Sequence, residues 1–215
     1  MTTAEAFLEQ LDALGPDARM GQVFQLAKAN VDMPIDEIEK LLANDRHLAR
    51  VGAVGVMDFQ ARARTTPEAQ REALFDLYIR RHDLIDTWDL VDRAAIWVVG
   101  EFLVRRHRGV LDRLAASDRP MERRTAILST YAFIRRGDLD DALRIAGRLV
   151  GDDEDLVHKA VGWMLREVGK RDEGRLRAFL EGNAPRMPRV MLRYAIEKLA
   201  PDVRAYYLGM QQPAR

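Results

Sequence analysis

Five segments of this chain share one pattern, a basic residue followed by small and apolar residues. They are Arg50-Val-Gly-Ala-Val, Arg93-Ala-Ala-Ile-Trp, Arg124-Thr-Ala-Ile-Leu, Lys159-Ala-Val-Gly-Trp and Arg193-Tyr-Ala-Ile-Glu, and their leading positions are 43, 31, 35 and 34 residues apart. Each alternates with a more acidic helical segment. Recurrence at this period is the signature of stacked helix pairs, because one pair cannot bury its apolar face alone and neighbouring pairs complete the core. The small residues let inner helices approach closely. The pattern therefore predicts an all-α fold, a curved α-solenoid with a right-handed superhelix of HEAT/armadillo-like antiparallel helix pairs. Such a stack has no natural internal boundary, so residues 1–215 are expected to form a single domain, with residues 1–16 as a peripheral N-terminal helix. A compact helical bundle with coincidental spacing is the alternative.

Local signals agree with helices throughout. Gly15-Pro16 ends a helix over 3–14, Met20, Val23, Phe24 and Ala27 mark one over 18–30, and Pro34 opens the next at a favourable first-turn position. Further helices are expected at 45–62, 67–82, 86–106, 109–116, 120–136, 138–150, 153–170, 172–182, 188–199 and 201–209. Starts carry Pro, Asp or Thr, and many ends carry Gly or Asn. No alternating run is long enough for a strand.

With 47% hydrophobic and 32% charged residues over 215 positions, the chain can bury a real core and is not disordered. It contains no cysteine, which excludes a disulfide framework, a thiolate zinc site and a cysteine nucleophile. His47, His82, His107 and His158 lack metal-ligand spacing. No apolar run approaches a membrane span and the N-terminus lacks a signal core, so a soluble, monomeric cytoplasmic protein without metal or cofactor is expected. The 34 basic and 34 acidic residues cancel, so the distribution of charge matters more than its sum. Basic residues cluster at Arg80-Arg81, Arg105-Arg106-His107-Arg108, Arg123-Arg124, Arg135-Arg136 and Lys170-Arg171, while acids gather in 32–45 and 138–155. If the repeat's leading cations line the concave side, that surface suits a rod of phosphates. Otherwise they are solvated or pair with acids of adjacent helices.

Three stretches could carry chemistry. Ile85-Asp86-Thr87-Trp88-Asp89-Leu90-Val91-Asp92-Arg93 reads as a helix start, with Asp86 or Thr87 as cap and Asp89 at the positive helix end. Trp88 and Asp92 are four residues apart and share a face. An open face would offer a π surface and a carboxylate to a cation, and a closed one would make them core. In the second stretch, Trp163, Arg166 and Lys170 form one stripe of a helix whose other face holds Val161, Leu165 and Val168. In the third, Arg123 and Arg124 point about 100° apart, so one can face a ligand while the other pairs.

These stretches resemble a known family. Trp-Asp-x-Val-Asp at 88–92, Arg-Arg-x-Ala-Ile-Leu at 123–128 and Lys-Ala-x-Gly-Trp-x-Leu-Arg-Glu at 159–167 are similar to blocks of the AlkD-type DNA alkylation repair proteins, which are HEAT-like-repeat alkylpurine DNA glycosylases. The resemblance covers about residues 17–208, and Arg-Tyr-Ala-Ile-Glu at 193–197 agrees with the final helix of many members. It implies Asp92 as catalytic aspartate, Trp88 and Trp163 as aromatic residues flanking the lesion, Arg124 as active-site arginine and Arg166 as a DNA contact. Lys159, Lys170, Arg123 and Arg193 extend the DNA-binding set from the charged face. The usual N-terminal motif, of the Tyr-x-Lys-x-x-Phe-Pro-Phe kind, is replaced here by Met20-Gly-Gln-Val-Phe-Gln-Leu-Ala-Lys28, without a Pro-Phe element.

The implied reaction is hydrolysis of the N-glycosidic bond to N3- or N7-alkylated purines in double-stranded DNA. A cationic base leaves without protonation, so one carboxylate suffices to stabilise an oxocarbenium-like sugar and align water. Two rival readings stand beside it. One is a non-catalytic module for damaged or branched DNA, favoured by the N-terminal departure, and the other is a protein–protein scaffold, favoured by zero net charge.

Overall fold

The structure, a computed structural model, describes residues 2–210, and among them every regular element is helical. The chain divides into two compact units, Met1–Phe102 and Leu103–Arg215. The first holds α1 (Ala4–Ala13), α2 (Met20–Ala29), α3 (Ile35–Leu42), α4 (His47–Arg62), α5 (Glu68–Arg80) and α6 (Trp88–Ala94), followed by a π-helical turn, Ala95–Gly100. A short α7 (Glu101–Leu103) follows. The second holds α8 (Gly109–Ala115), α9 (Pro120–Ser129), α10 (Tyr131–Ile134), α11 (Asp140–Leu149), α12 (Asp155–Arg171), α13 (Glu173–Asn183), α14 (Arg189–Ile196) and α15 (Pro201–Gly209).

Each unit is layered. In the first, α4 packs against α2, α3, α5, α6 and the π-helical turn. Val51, Ala53, Val54, Val56 and Met57 are all buried, so α4 is covered nearly all round. The N-terminal helix is part of this core: Phe7 and Leu11 are buried, and Gly52 leaves the space that the Phe7 ring fills. In the second unit α12 takes the central place, against α9, α11, α13 and α14. Its contact with α14 is the closest. A methyl group at Gly162 would lie 2.5 Å from the Met191 carbonyl oxygen and 2.6 Å from Tyr194 Cβ. Backbone cannot yield as a side-chain tip can, so Gly162→Ala should destabilise by about 1–3 kcal/mol, read as a lower denaturant midpoint with unchanged slope.

Two expected helices are interrupted, for different reasons. The helix expected at 120–136 breaks between α9 and α10, where the Ser129 and Thr130 hydroxyls donate to the carbonyls of Thr125 (2.7 Å) and Ile127 (2.6 Å). Hydroxyls bonded back in this way bend a helix. The helix expected at 86–106 starts at Trp88 and widens into the π-helical turn after Ala94, with α7 ending at Leu103. Such turns insert one extra residue per turn and recur at functional sites.

Ion pairs tie one helix pair to the next. Arg46 reaches Asp12, Arg50 reaches Asp86, Arg93 reaches Asp58 and Arg80 reaches Glu39 in the first unit. Arg108 bridges to Asp138 and Asp141, and Arg175 to Asp140, in the second. These partners lie between 30 and 41 residues apart, close to the sequence recurrence. The two acid-rich segments, 32–45 and 138–155, thus supply counter-charges to the clustered arginines. No helix among the described residues is long and apolar enough to cross a membrane.

Candidate nucleic-acid interface

In the first unit the candidate site is the start of α6. Ile85 is buried and anchors the entry, while Asp86 turns back to Arg50 at 2.8 Å. Thr87 takes the extended N-cap geometry, without a side-chain capping bond to the helix amides. Leu90, Val91 and Ala94 form the buried face. Trp88 is on the opposite side and is 52% exposed, so its ring is not core. Asp92, one turn later on that side, is partly exposed. The two therefore present an aromatic surface and a carboxylate together.

The other acid of the turn has a different task. Asp89 meets His47 Nε2 at 2.8 Å, joining the starts of α4 and α6. Burial pushes its carboxyl up, but hydrogen bonds with Thr87 and His47 outweigh this and hold it below the usual carboxylate value. Arg93, next to Asp92, points inward. It meets the fully buried Asp58 at 2.8 Å and lies over the rings of Phe24 and Phe59 at 4.2 and 4.6 Å. Arg62 holds the other Asp58 oxygen at 2.7 Å and covers the Trp97 ring at 4.6 Å. A buried cation–aromatic brace thus fixes the segment that carries Asp92.

In the second unit the candidate residues are on α9, α12 and α14. Arg124 is buried, 5% exposed, and donates to the Leu156 carbonyl at the start of α12. Arg123 braces a loop, with Nε and Nη2 on the Asp152 carboxylate at 2.6 and 3.1 Å and Nη1 on the Ser117 and Asp118 carbonyls. The Asp152 bond is the main reason its pKa is raised. Trp163 is partly exposed, its ring centroid 6.4 Å from that of Tyr131. Arg166 and Lys170 share its stripe, but Arg166 is engaged by Glu197 and Lys170 by Glu167 at 2.7 Å. Lys159 pairs with Asp155 at 2.9 Å. Arg193 is exposed and, among the described residues, pairs with no carboxylate.

Trp88 and Asp92 are therefore brought together, as are Trp163, Arg166 and Lys170. Arg123 is instead held by a loop, Arg124 by the start of α12, and Lys159 by Asp155 of its own helix. Asp58 and Tyr131 were not singled out by the sequence, and the contact of Asp89 with His47 was not foreseen. The recurrence could have pointed to Tyr131, which lies 32 residues before Trp163.

Residues 4–199 match the family model described as DNA alkylation repair enzyme. No curated protein matches the chain.

Proposed function

The chain belongs to the DNA alkylation repair enzyme family, and from that membership we propose that it is a DNA glycosylase releasing N3- or N7-alkylated purines from duplex DNA. The observation that carries this reading is the open pairing of Trp88, 52% exposed, with Asp92 one turn further along α6. An exposed tryptophan beside a carboxylate does little for a helical core. It is suited to a cationic nucleotide.

In the proposed reaction the alkylated base is already positively charged. As the glycosidic bond lengthens, positive charge moves to the sugar. The Asp92 carboxylate stabilises that charge and aligns a water at C1′. The Trp88 face attracts the cation, a contribution of about 0.5–1 kcal/mol for an exposed ring. Trp163 supplies a second aromatic surface, and Arg166, Lys170 and Arg193 supply charge for phosphates. Arg124 acts here through the Leu156 carbonyl that it holds, as a positioning residue for α12. No metal or cofactor is invoked. The same reading takes the sequence recurrence as one HEAT-like solenoid domain.

Incubating the protein with methylated duplex DNA and measuring free 7-methylguanine and 3-methyladenine tests the proposal. Release above the spontaneous rate is expected, and DNA binding without release would favour the non-catalytic reading. The acids that engage Arg166, Lys170, Lys159 and Arg123 weigh instead for the protein–protein scaffold, which would bind neither methylated nor plain duplex. The same pairing makes a second prediction. Duplex affinity should fall steeply with salt, and Arg193→Ala should make the log–log slope shallower by about one unit. Arg166→Ala should change it less, because Glu197 already neutralises that guanidinium. Filter binding across a salt series checks both.

A further inference from the structure

Tyr194 has no part in the chemistry above, yet its position is unusual. It is on α14, 38% exposed, with its Cβ against the α12 backbone at Gly162. Arg166 of α12 engages Glu197 of α14, a partner 31 residues further along. The same offset carries Trp163 to Tyr194, and Gly162 meets Tyr194 where that register predicts a neighbour. Trp163 and Arg166 are one turn apart on α12, as Tyr194 and Glu197 are on α14. The ion pair and the glycine contact therefore place the Tyr194 position of α14 alongside the Trp163 position of α12. On the other flank, Tyr131 of α10 has its ring centroid 6.4 Å from that of Trp163, tilted by 39°. Tyr131, Trp163 and Tyr194 thus form a row, one aromatic residue from each of three successive helix pairs.

A cation adjoins one end of the row. Arg193 precedes Tyr194, is exposed and pairs with no carboxylate among the described residues, whereas Lys170, further along the Trp163 stripe, is held by Glu167. Exposed π faces beside a cation fit a polyanion that itself carries flat aromatic groups. The geometry points to a stacking row for unpaired nucleobases, in which the second unit binds a single strand of DNA, Tyr131 and Tyr194 extending the surface of Trp163. Each base stacked on an aromatic side chain adds sequence-tolerant affinity. The inference rests on the proposal that DNA is the partner, but not on any catalysis.

The test is binding of a fluorescent oligothymidylate and of a fully paired duplex by wild type, Tyr194→Leu and Tyr194→Phe. Leucine keeps apolar bulk against Gly162 and removes the π face, and thermal melting confirms that both variants fold. The leucine variant should lose roughly tenfold in affinity for the single strand, the worth of about one stacked base. Its affinity for the duplex should change less than twofold, and the phenylalanine variant should bind both as wild type does. Tyr131→Leu should repeat the pattern. No single-strand binding by wild type, or equal losses on both DNAs, or no loss at all, would overturn the row. Base release from methylated duplex, measured on the same proteins, separates the two ideas. Release that persists in wild type while Tyr194→Leu leaves single-strand affinity intact sinks the row alone. Absence of release in wild type with the expected single-strand losses sinks the glycosylase reading alone.

Discussion

Asp92→Asn is expected to reduce release of 7-methylguanine and 3-methyladenine by at least about 10²–10³-fold, the usual cost of removing one group that stabilises developing charge. The substitution keeps shape and removes charge. Asp92 is partly exposed, and the brace that holds its helix runs through Arg93, so the variant is expected to fold, which thermal melting checks. Affinity for unmodified duplex should change less than twofold or improve slightly, since a carboxylate near phosphates is repulsive. Single-turnover assays of base release with parallel filter binding give both numbers. If Asp92→Asn releases base as fast as wild type, the carboxylate is no part of the chemistry. If it loses duplex binding as well, Asp92 is structural. The prediction separates Asp92 from Asp89, whose carboxylate is turned to His47.

Much of the α6 site was legible. Ile85, Asp86 and Thr87 mark the helix start within a residue, and the four-residue step from Trp88 to Asp92 fixes their shared face. What spacing could not decide was whether that face is open. That depends on which neighbours cover it, and here Leu90, Val91 and Ala94 take the buried side. The π-helical turn was not legible either. Ala95-Ile96-Trp97-Val98-Val99-Gly100 has the apolar content of an ordinary helix, and the extra residue per turn is a matter of packing against α4 and α5. In the second unit, helical spacing from Trp163 gave the stripe of Trp163, Arg166 and Lys170. It could not give the tenants of their charges. Glu197, Glu167 and Asp155 occupy cations that sequence alone leaves open to phosphate. The leading cations Arg50 and Arg93 meet the same fate, each tying one helix pair to its neighbour. The recurrence marked cations that tie neighbouring helices together more than cations left open to a ligand.

The brace beneath Asp92 should be worth more to stability than any exposed pair. Asp58 is fully buried between Arg62 and Arg93, at 2.7 and 2.8 Å. Arg93→Ala leaves that carboxylate with one partner and strips a cation from Phe24 and Phe59. Breaking a buried pair from one side costs about 3–5 kcal/mol. At about 2–4 °C per kcal/mol for a chain of this size, melting should fall by roughly 10 °C. The deficit should depend on pH in a definite direction. Burial pushes the Asp58 carboxyl above its ordinary value, against the lowering pull of Arg93 and Arg62. An acid whose folded pKa is raised destabilises the fold as it ionises. Its full stability is present below the unfolded carboxylate pKa and is lost as pH rises through the folded one. Without Arg93 the carboxyl moves further up and the loss grows. The gap between wild type and Arg93→Ala should therefore be small near pH 4 and widen towards pH 7, followed by thermal melts in one buffer series. A gap that is constant with pH would mean that the packing of Arg93 on the two rings matters more than its charge. The double substitution Asp58→Leu with Arg93→Met distinguishes the two further. It removes the buried charge with its partner, so it should recover most of the melting temperature, because a well-packed apolar pair replaces a buried ion pair at little cost.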